Sequence, residues 1–280
     1  MNFYATVWGF HDRKPESFLR LVKESGYKGI ETSVPTWSKL NIELRQLLDY
    51  YELQLVAQVA IPWNAPSMHF DEYKSLYQRK LAELEELMPI FVNAQTGKDY
   101  FTFDQNCELL EMAAEWSERS GITLVHETHR GKFSFAPFAT QPYLEKYPEL
   151  RLAGDFSHWA CVCESWLHDQ SEALKLAFSR TDHLHLRVGH RHGPQVVDPF
   201  LPENEEALRV HMEWWSQVLH LKGQNLTLTP EFGPAPYMAQ VPFTGQPLAD
   251  QWELNLKMKE AVSMLPLSDL KRTNSEKTLQ

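Results

Sequence analysis

The stretch 104–127, DQNCELLEMAAEWSERSGITLVHE, decides the fold of this chain, because one helix pattern is followed there directly by one strand pattern. Asp104 suits the N-cap position, and Gly121 suits the left-handed position that follows a helix. The helix has a broad apolar face that consists of Leu109, Leu110, Met112, Ala113 and Trp116. Residues 123–127, TLVHE, then predict a short buried strand that ends on a carboxylate.

The same pairing of strand and helix recurs about eight times along the 280 residues. Strands are predicted at 3–9, 29–34, 54–60, 90–95, 123–128, 151–156, 183–188 and 226–232. Helices are predicted near 15–25, 39–52, 71–88, 104–120, 139–147, 168–179, 203–221 and 249–264. This alternation predicts parallel strands joined by crossovers. Eight units in a chain near the ~250-residue norm favour an α/β fold of the closed (β/α)8 TIM barrel type over an open sheet.

No linker-like stretch divides the chain, so we predict a single barrel domain over residues 1–265. The residues after it, 266–280, form a polar tail that we expect to fray or to pack on a neighbouring molecule. The longest irregular segments follow the third, seventh and eighth predicted strands. Barrel enzymes keep their chemistry at that end of the strands, so we expect the loops 61–70, 131–142, 189–202 and 233–247 to determine the substrate.

The composition restricts the class of protein. Hydrophobic residues make up 43% of the chain, yet no stretch approaches the ~18 apolar residues that a membrane span needs. The first ten residues do not resemble a signal peptide, and three cysteines do not suggest a disulfide framework, so we expect a cytoplasmic protein. The net charge of −10 argues against a nucleic-acid partner. A homodimer is the default oligomer.

Four predicted strands end on groups that can bind a metal ion. These groups are Glu127, Asp155, His185 and Glu231. Loop-like sequence rich in Gly, Pro or His follows each of them. Four such ends from one half of the chain predict a single site for a divalent cation, held by three carboxylates and one imidazole.

The alternation of side chains along a strand predicts which way these groups point. In LTLTPE, two leucines suit the outer helices, which directs Glu231 toward the barrel axis. In HLHLR the same reasoning directs His183, His185 and Arg187 inward, and in RLAGD it directs Asp155 inward. The strand TLVHE is less decisive, because His126 interrupts the pattern.

At this point the sequence resembles the xylose-isomerase-like TIM barrels, the family of D-tagatose 3-epimerase, hydroxypyruvate isomerase and, more distantly, endonuclease IV. The resemblance covers the layout of nearly the whole chain, but it is specific only in the second half. It implies that the four strand-end groups named above bind the metal. It also implies a substrate-binding histidine three residues after the aspartate, which is His158, and an arginine six residues after the metal histidine, which is Arg191. One family position departs from the pattern, because Phe133 replaces a second substrate-binding glutamate.

The resemblance further implies a metal-dependent isomerase or epimerase of a sugar or keto-acid substrate. Glu127 and Glu231 would be the acid and base that move a proton through a metal-stabilised enediolate. Mn²⁺ suits the ligand set best, with Mg²⁺, Co²⁺ or Zn²⁺ as other choices. The residues predicted to contact the substrate are His158, Arg191, Glu31, Arg187 and His129. Glu31 could equally be part of a structural hydrogen-bond network.

Other functions stay open at this point. A lyase or dehydratase that acts on inosose-type ketones would use the same metal to stabilise an enolate and then expel hydroxide. A barrel that keeps the metal but serves for binding or regulation is a further alternative. An endonuclease IV-like hydrolase fits less well, because Gln58, Asn93 and Gln95 stand where that family has histidine ligands. A cationic cluster just past Glu127, formed by His126, His129, Arg130 and Lys132, could bind a phosphate or carboxylate or could be ordinary loop charge.

Overall fold

Eight parallel strands close into a barrel in chain order, and the last strand pairs with the first. The computed structural model describes residues 1–33, 41–61 and 68–265. The strands are β1 (Asn2–Thr6), β2 (Gly29–Ser33), β3 (Gln54–Ala60), β4 (Phe91–Gln95), β5 (Leu124–Glu127), β6 (Leu152–Gly154), β7 (Thr181–His185) and β8 (Thr227–Thr229). The prediction of a (β/α)8 TIM barrel is therefore confirmed. The predicted tail 266–280 and residues 62–67 of the predicted loop 61–70 lie outside the described residues.

Helices connect the strands on the outside of the barrel. Within the described residues they are α1 (Pro15–Glu24), α2 (Asn41–Tyr50), α3 (Phe70–Leu84), α4 (Phe103–Ser120), α5 (Pro137–Lys146), α6 (Phe156–Val162), α7 (Ser171–Arg180), α8 (Glu205–Lys222) and α9 (Gln251–Ser263). The sequence did not predict α6, because its seven residues are too few for a clear helical period. None of the described helices has both the length and the hydropathy that a bilayer span requires.

The N-cap of the helix that decided the fold lies two residues earlier than predicted. Its N-cap is Thr102, whose hydroxyl accepts the backbone N–H of Gln105 at 3.2 Å, while the Gln105 side chain accepts the N–H of Thr102 at 3.0 Å. Asp104 was therefore the wrong choice of cap, because this reciprocal capping box satisfies two free backbone donors at once. Gly121 ends the helix at φ 72°, as its lack of a side chain allows.

The interior of the barrel changes from apolar to polar along the strands. Near the beginning of the strands the interior is filled by Tyr4, Val56, Phe91, Val125 and Ala153. Further along the strands the same inward face carries carboxylates. Glu127 lies two residues after Val125 in β5, and Asp155 lies two residues after Ala153, just beyond β6. Because side chains alternate, the apolar layer forms the floor on which the polar groups stand.

The alternation that the sequence left open in β5 is resolved by this layer. Val125 and Glu127 point into the barrel, so His126 points outward, where its Nδ1 lies 2.8 Å from Oγ1 of Thr96. Burial lowers the pKa of His126 to about 3, so the ring is neutral. His126 therefore does not belong to the cationic cluster that the sequence suggested.

His211 joins α8 to the segment that leaves β7. Its Nδ1–H donates to the Ala207 carbonyl at 2.8 Å, and its Nε2 accepts the N–H of Gly189 at 3.3 Å. Burial lowers the pKa of His211 to about 4. The neutral ring is required in this arrangement, because a protonated Nε2 could no longer accept the Gly189 N–H.

This histidine should make the protein less stable in acid. The folded-state pKa lies below the unfolded value, so its contribution is complete above about pH 6.5 and is lost as the pH falls toward about 4. Between pH 7 and pH 5 we expect a loss of about 2 kcal/mol in the free energy of unfolding from this group. Urea unfolding at both pH values should show a smaller loss in His211→Gln than in the wild type. His220→Gln, at an exposed position of the same helix, is the control and should keep the wild-type loss.

Candidate metal centre

The four strand-end groups converge at the carboxyl-terminal mouth of the barrel. One ligand atom from each of Glu127, Asp155, His185 and Glu231 lies within 4.8 Å of all the others, and all four residues are buried. The imidazole Nδ1 of His185 faces the carboxylates. It is 2.9 Å from Oε2 of Glu231 and 3.9 Å from both Oε1 of Glu127 and Oδ2 of Asp155. The strands thus bring a mixed oxygen and nitrogen ligand set together in one place.

The spacing of these atoms fits a shared cation. Two ligands that are each ~2.1 Å from one ion lie about 3–4 Å apart, depending on the angle between them. The Nδ1 of His185 is buried and has no hydrogen-bond partner, since its approach to Glu231 lacks hydrogen-bond alignment. A buried nitrogen that faces three carboxylate oxygens is the arrangement a divalent ion would complete. The residues therefore fit a divalent metal, whose identity the geometry leaves open.

The other nitrogen of His185 is held by Glu31. The Nε2–H donates to Oε1 of Glu31 at 3.0 Å, and His183 donates to the second oxygen at 3.1 Å. A carboxylate behind a metal-ligating histidine fixes its tautomer and ring orientation, which leaves Nδ1 with its lone pair toward the ion. Glu31 is fully buried below the cluster. Glu31 therefore lies behind the candidate metal ligand His185. Its predicted contact with the substrate stays a prediction.

Three amide side chains hold the carboxylates in position. Asn93 donates to Glu31 at 2.9 Å and to Glu127 at 3.2 Å, and Gln95 donates to both oxygens of Glu127 at 3.2 Å. Gln58 donates to Glu231 at 3.2 Å. From the sequence, these amides were predicted only to replace the histidine ligands of the endonuclease IV family. Their position on the inward face at the ends of β3 and β4 was the signal that could have identified them.

The cluster holds more negative than positive charge. Burial, together with the charges of Glu231 and Asp155, raises the pKa of Glu127 to about 8, although the charge of His185 acts in the opposite direction. Burial likewise raises the pKa of Asp155. For His185 burial favours the neutral ring, but the charges of Glu231, Glu31 and Glu127 raise its pKa well above its usual value. Protons thus supply positive charge that a bound dication would replace, so metal binding should release protons.

Arg187 is the permanent cation of the site. It is 2% exposed, forms an ion pair with Asp155, and its Nη1 lies 3.6 Å from Oε2 of Glu231. The guanidinium carbon lies 4.9 Å from the centroid of the Tyr237 ring and 5.7 Å from that of Trp8. These contacts fix the guanidinium beside two of the candidate ligands, where it reduces the repulsion between their carboxylates.

His158 and His129 stand next to this arginine. His158 lies in α6, whose N-cap is Asp155, so one helical turn brings its ring back toward the cluster. Its Nε2 accepts from Arg187 at 2.9 Å, which assigns the proton to Nδ1, and this buried N–H has no partner among the described residues. His129 donates from Nδ1 to the Arg130 carbonyl at 2.6 Å, and its ring centroid is 3.9 Å from that of His158. Burial lowers the pKa of both histidines, so both are neutral.

Arg191 does not join the cluster. It is exposed, and its guanidinium carbon lies 6.0 Å from the centroid of the Trp166 ring. The substrate contact that the family resemblance implied for it stays a prediction, while Arg187 is the arginine that lies at the carboxylates. Phe133, the position where the family pattern departs, is a buried ring packed at 5.0 Å against Tyr143 and at 5.8 Å against His126.

Removal of Arg187 should make stability depend more strongly on metal. Arg187→Met leaves the carboxylates of Asp155 and Glu231 without their buried partner, which typically costs about 3–5 kcal/mol. We expect this loss of unfolding free energy in the metal-free variant. Addition of Mn²⁺ should stabilise the variant more than it stabilises the wild type, because the ion would supply the missing positive charge. Thermal unfolding with EDTA and with Mn²⁺ measures both. Arg191→Met is the control and should match the wild type within about 0.5 kcal/mol.

Comparison with known proteins identifies the fold. No family model and no curated protein matches the chain. Among solved structures, D-psicose 3-epimerase from Clostridium cellulolyticum H10 is 13% identical with a TM-score of 0.61, over 94% of this chain and 97% of that one. The probable 3-DHS dehydratase AsbF from Bacillus anthracis is 14% identical with a TM-score of 0.62, over 95% and 100%. An AP endonuclease of family 2 from Brucella melitensis is 16% identical with a TM-score of 0.58, over 84% and 93%.

These neighbours are xylose isomerase-like TIM barrels, and this chain has their fold. Their names include an epimerase, a dehydratase and an endonuclease, so the shared fold does not select one reaction. The choice among these reactions depends on the residues at the mouth of the barrel.

Proposed function

We propose that the protein is a divalent-metal-dependent isomerase or epimerase of a sugar or related keto compound. The observation that carries this proposal is the meeting of two glutamates, Glu127 and Glu231, around one candidate metal position. They come from β5 and from the segment after β8, and they approach the position from different sides of the mouth. A pair of carboxylates on either side of a bound substrate is the arrangement that removal and return of a proton requires.

The side chains divide the chemistry among them. A bound divalent ion would supply Lewis-acid polarisation of a carbonyl and its adjacent hydroxyl. One of the two glutamates takes the proton from the carbon next to the carbonyl, and the other returns a proton on the opposite face. The free Nδ1–H of His158 donates to a substrate oxygen and stabilises negative charge that develops there. Arg187 holds His158 in the tautomer that makes this donation possible.

A lyase or dehydratase on the same site is the second candidate, and His129 is the residue that favours it. Its Nδ1–H donates to a backbone carbonyl, so Nε2 carries a free lone pair next to Glu127 and His158. Such a nitrogen can accept a proton, and after protonation it can assist the departure of a hydroxyl group. The two reactions share the first proton removal and differ in whether water is lost.

A hydrolase with several metal ions has less support. The described part of the chain offers three groups of possible ligands, but two of them share Glu127 and two share His185. Asn93, Gln95 and Gln58 donate hydrogen bonds to the carboxylates and do not add ligand nitrogens. The site is therefore best suited to one ion. We propose Mn²⁺ as that ion, with Mg²⁺, Co²⁺ and Zn²⁺ as alternatives. We also propose that the protein is active as a homodimer in the cytoplasm.

Solvent-proton exchange tests the proposal. The protein is dialysed against EDTA, reloaded with each ion, and incubated in D₂O with a panel of ketoses, keto acids and inososes. We expect loss of the NMR signal of the proton next to the carbonyl in the loaded protein and none with EDTA. Loss of water from the substrate would assign the lyase reaction instead. Stoichiometric metal without exchange in any compound would favour a binding protein and contradict the proposal.

A further inference from the structure

Lys132 is a buried ammonium group that has no partner among the described residues. It follows β5 in the mouth of the barrel, and its side chain is 3% exposed. Its Nζ makes no hydrogen bond, and no carboxylate lies within 4.0 Å of it in the described ranges 1–33, 41–61 and 68–265. An ammonium that has left water without a carboxylate or carbonyl to replace it is costly to keep in a protein.

A second buried lysine lies on the neighbouring loop. Lys98 follows β4 and is 9% exposed, and its backbone is held by Asn106, which accepts its N–H at 3.3 Å and donates to its carbonyl at 3.0 Å. The Phe133 N–H donates to the Thr96 carbonyl at 3.3 Å, which joins the two loops. Two cationic residues thus lie on loops that a backbone hydrogen bond joins.

The charges around Lys132 connect it to the metal centre. Burial, together with the positive charge of Lys98, lowers its pKa to about 8, although Glu127 and Asp99 act in the opposite direction without forming an ion pair. Glu127 is one of the candidate metal ligands. The loop that contains Lys132 also leaves the same strand, β5, at the mouth in which the substrate would be bound.

Among the described residues, no other part of the mouth supplies the missing anion. Residues 34–40 and 62–67, which are not described, contain neither aspartate nor glutamate. The described chain ends after α9 at the opposite end of the barrel, where Lys259 donates to the Ser25 carbonyl ahead of β2. The remaining cations of the suspected cluster are already engaged, since Arg130 donates to the Tyr237 hydroxyl at 3.0 Å and Arg187 pairs with Asp155.

We propose that Lys132, together with Lys98, binds an anionic group of the substrate, so that the substrate is a sugar acid or sugar phosphate and not a neutral sugar. That this anion belongs to a substrate rests on the proposed function, whereas the presence of an anion site does not. Ammonium groups bind carboxylate and phosphate oxygens as point charges, so both are compatible with this pair of lysines. A largely protonated amine is a donor and not a nucleophile, which sets this role apart from covalent catalysis.

Three probes that differ only at carbon 6 test the proposal. D-fructose carries a hydroxyl there, D-fructuronate a carboxylate and D-fructose 6-phosphate a phosphate. Binding to the Mn²⁺-loaded protein is measured by titration calorimetry. We expect at least one charged probe to bind more tightly than D-fructose, and which of the two does so distinguishes the carboxylate from the phosphate. In Lys132→Met we expect that probe to bind about 10- to 100-fold more weakly, with D-fructose binding and manganese content unchanged.

Controls separate a binding role from a structural one. Lys257→Met, at an exposed position of α9, should leave all three affinities unchanged. Without ligand, Lys132→Met should unfold at the same temperature as the wild type or higher, because it removes an unpartnered buried charge. Equal affinities of the wild type for all probes, or an equal loss for all three in Lys132→Met, would show that the proposal is wrong. Charged-probe binding through Lys132 without any proton exchange would contradict the proposed reaction alone.

Discussion

Glu231→Gln should slow proton exchange by about 10²–10⁴-fold while part of the metal affinity remains. The amide keeps the shape of the side chain and one oxygen for the metal, but it cannot take or give the proton. The structure adds a reason for the partial retention of affinity, because Gln58 donates to Oε1 of Glu231 at 3.2 Å and can still hold the amide oxygen in place. The exchange rate and the manganese content are measured on the same preparation.

A matched control makes this result specific. Glu213→Gln on the exposed face of α8 removes a carboxylate that forms an ion pair with Arg209 on the same helix, and this variant should exchange the proton at the wild-type rate. If Glu231→Gln binds metal and exchanges the proton at more than a tenth of the wild-type rate, Glu231 is not an acid or base. Glu127→Gln, tested alongside, assigns the second position.

Asp155→Ala should lower metal occupancy sharply, because it removes a charged ligand without adding bulk. The structure shows that it also removes the partner of Arg187 and the N-cap of α6, where Asp155 accepts the Ser157 N–H at 3.2 Å. We therefore expect destabilisation as well, of about 3–5 kcal/mol from the unpaired buried charge and about 1 kcal/mol from the lost cap. Elemental analysis after dialysis measures the first effect, and urea unfolding measures the second.

Asp155→Asn separates these effects. Asparagine can still cap α6, so this variant should lose metal as Asp155→Ala does but lose less stability. Asp182→Asn is the control, because Asp182 lies at the start of β7, 40% exposed, and pairs with Lys222 at 2.8 Å away from the mouth. Full retention of metal in Asp155→Ala would contradict the assignment of the metal site.

The inward direction of the ligand candidates is the part of the site that could be read from the strands. Apolar residues alternate with polar ones in the segments that contain Glu231 and His185, and the structure places both side chains inside the barrel. The prediction was undecided for Glu127, because a histidine occupies the outward position before it. That histidine is tolerated because Thr96 provides a hydrogen bond within the layer between strands and helices.

The two arginines after β7 show how far the strand period reaches. The alternation in HLHLR directed Arg187 inward, and Arg187 lies at the carboxylates, while Arg191, which the family resemblance implied, is exposed and its substrate contact stays a prediction. Arg187 is only two residues beyond His185, so it keeps the inward direction of the strand. Arg191 lies beyond Gly189, in a turn closed by hydrogen bonds between His190 and Gly193, and the strand period no longer determines its direction.

By itself the sequence determined the barrel, the order of its elements and the face on which the ligand candidates stand, because these follow from periods of two and of 3.6 residues along the chain. The tertiary structure alone decided that Glu31 stands behind His185, that three amides hold the carboxylates, and that the ammonium group of Lys132 is buried without a hydrogen-bond partner among the described residues. These contacts join residues from different strands and loops, and their geometry depends on how the strands close into a barrel. Local periodicity carries no information about such distances.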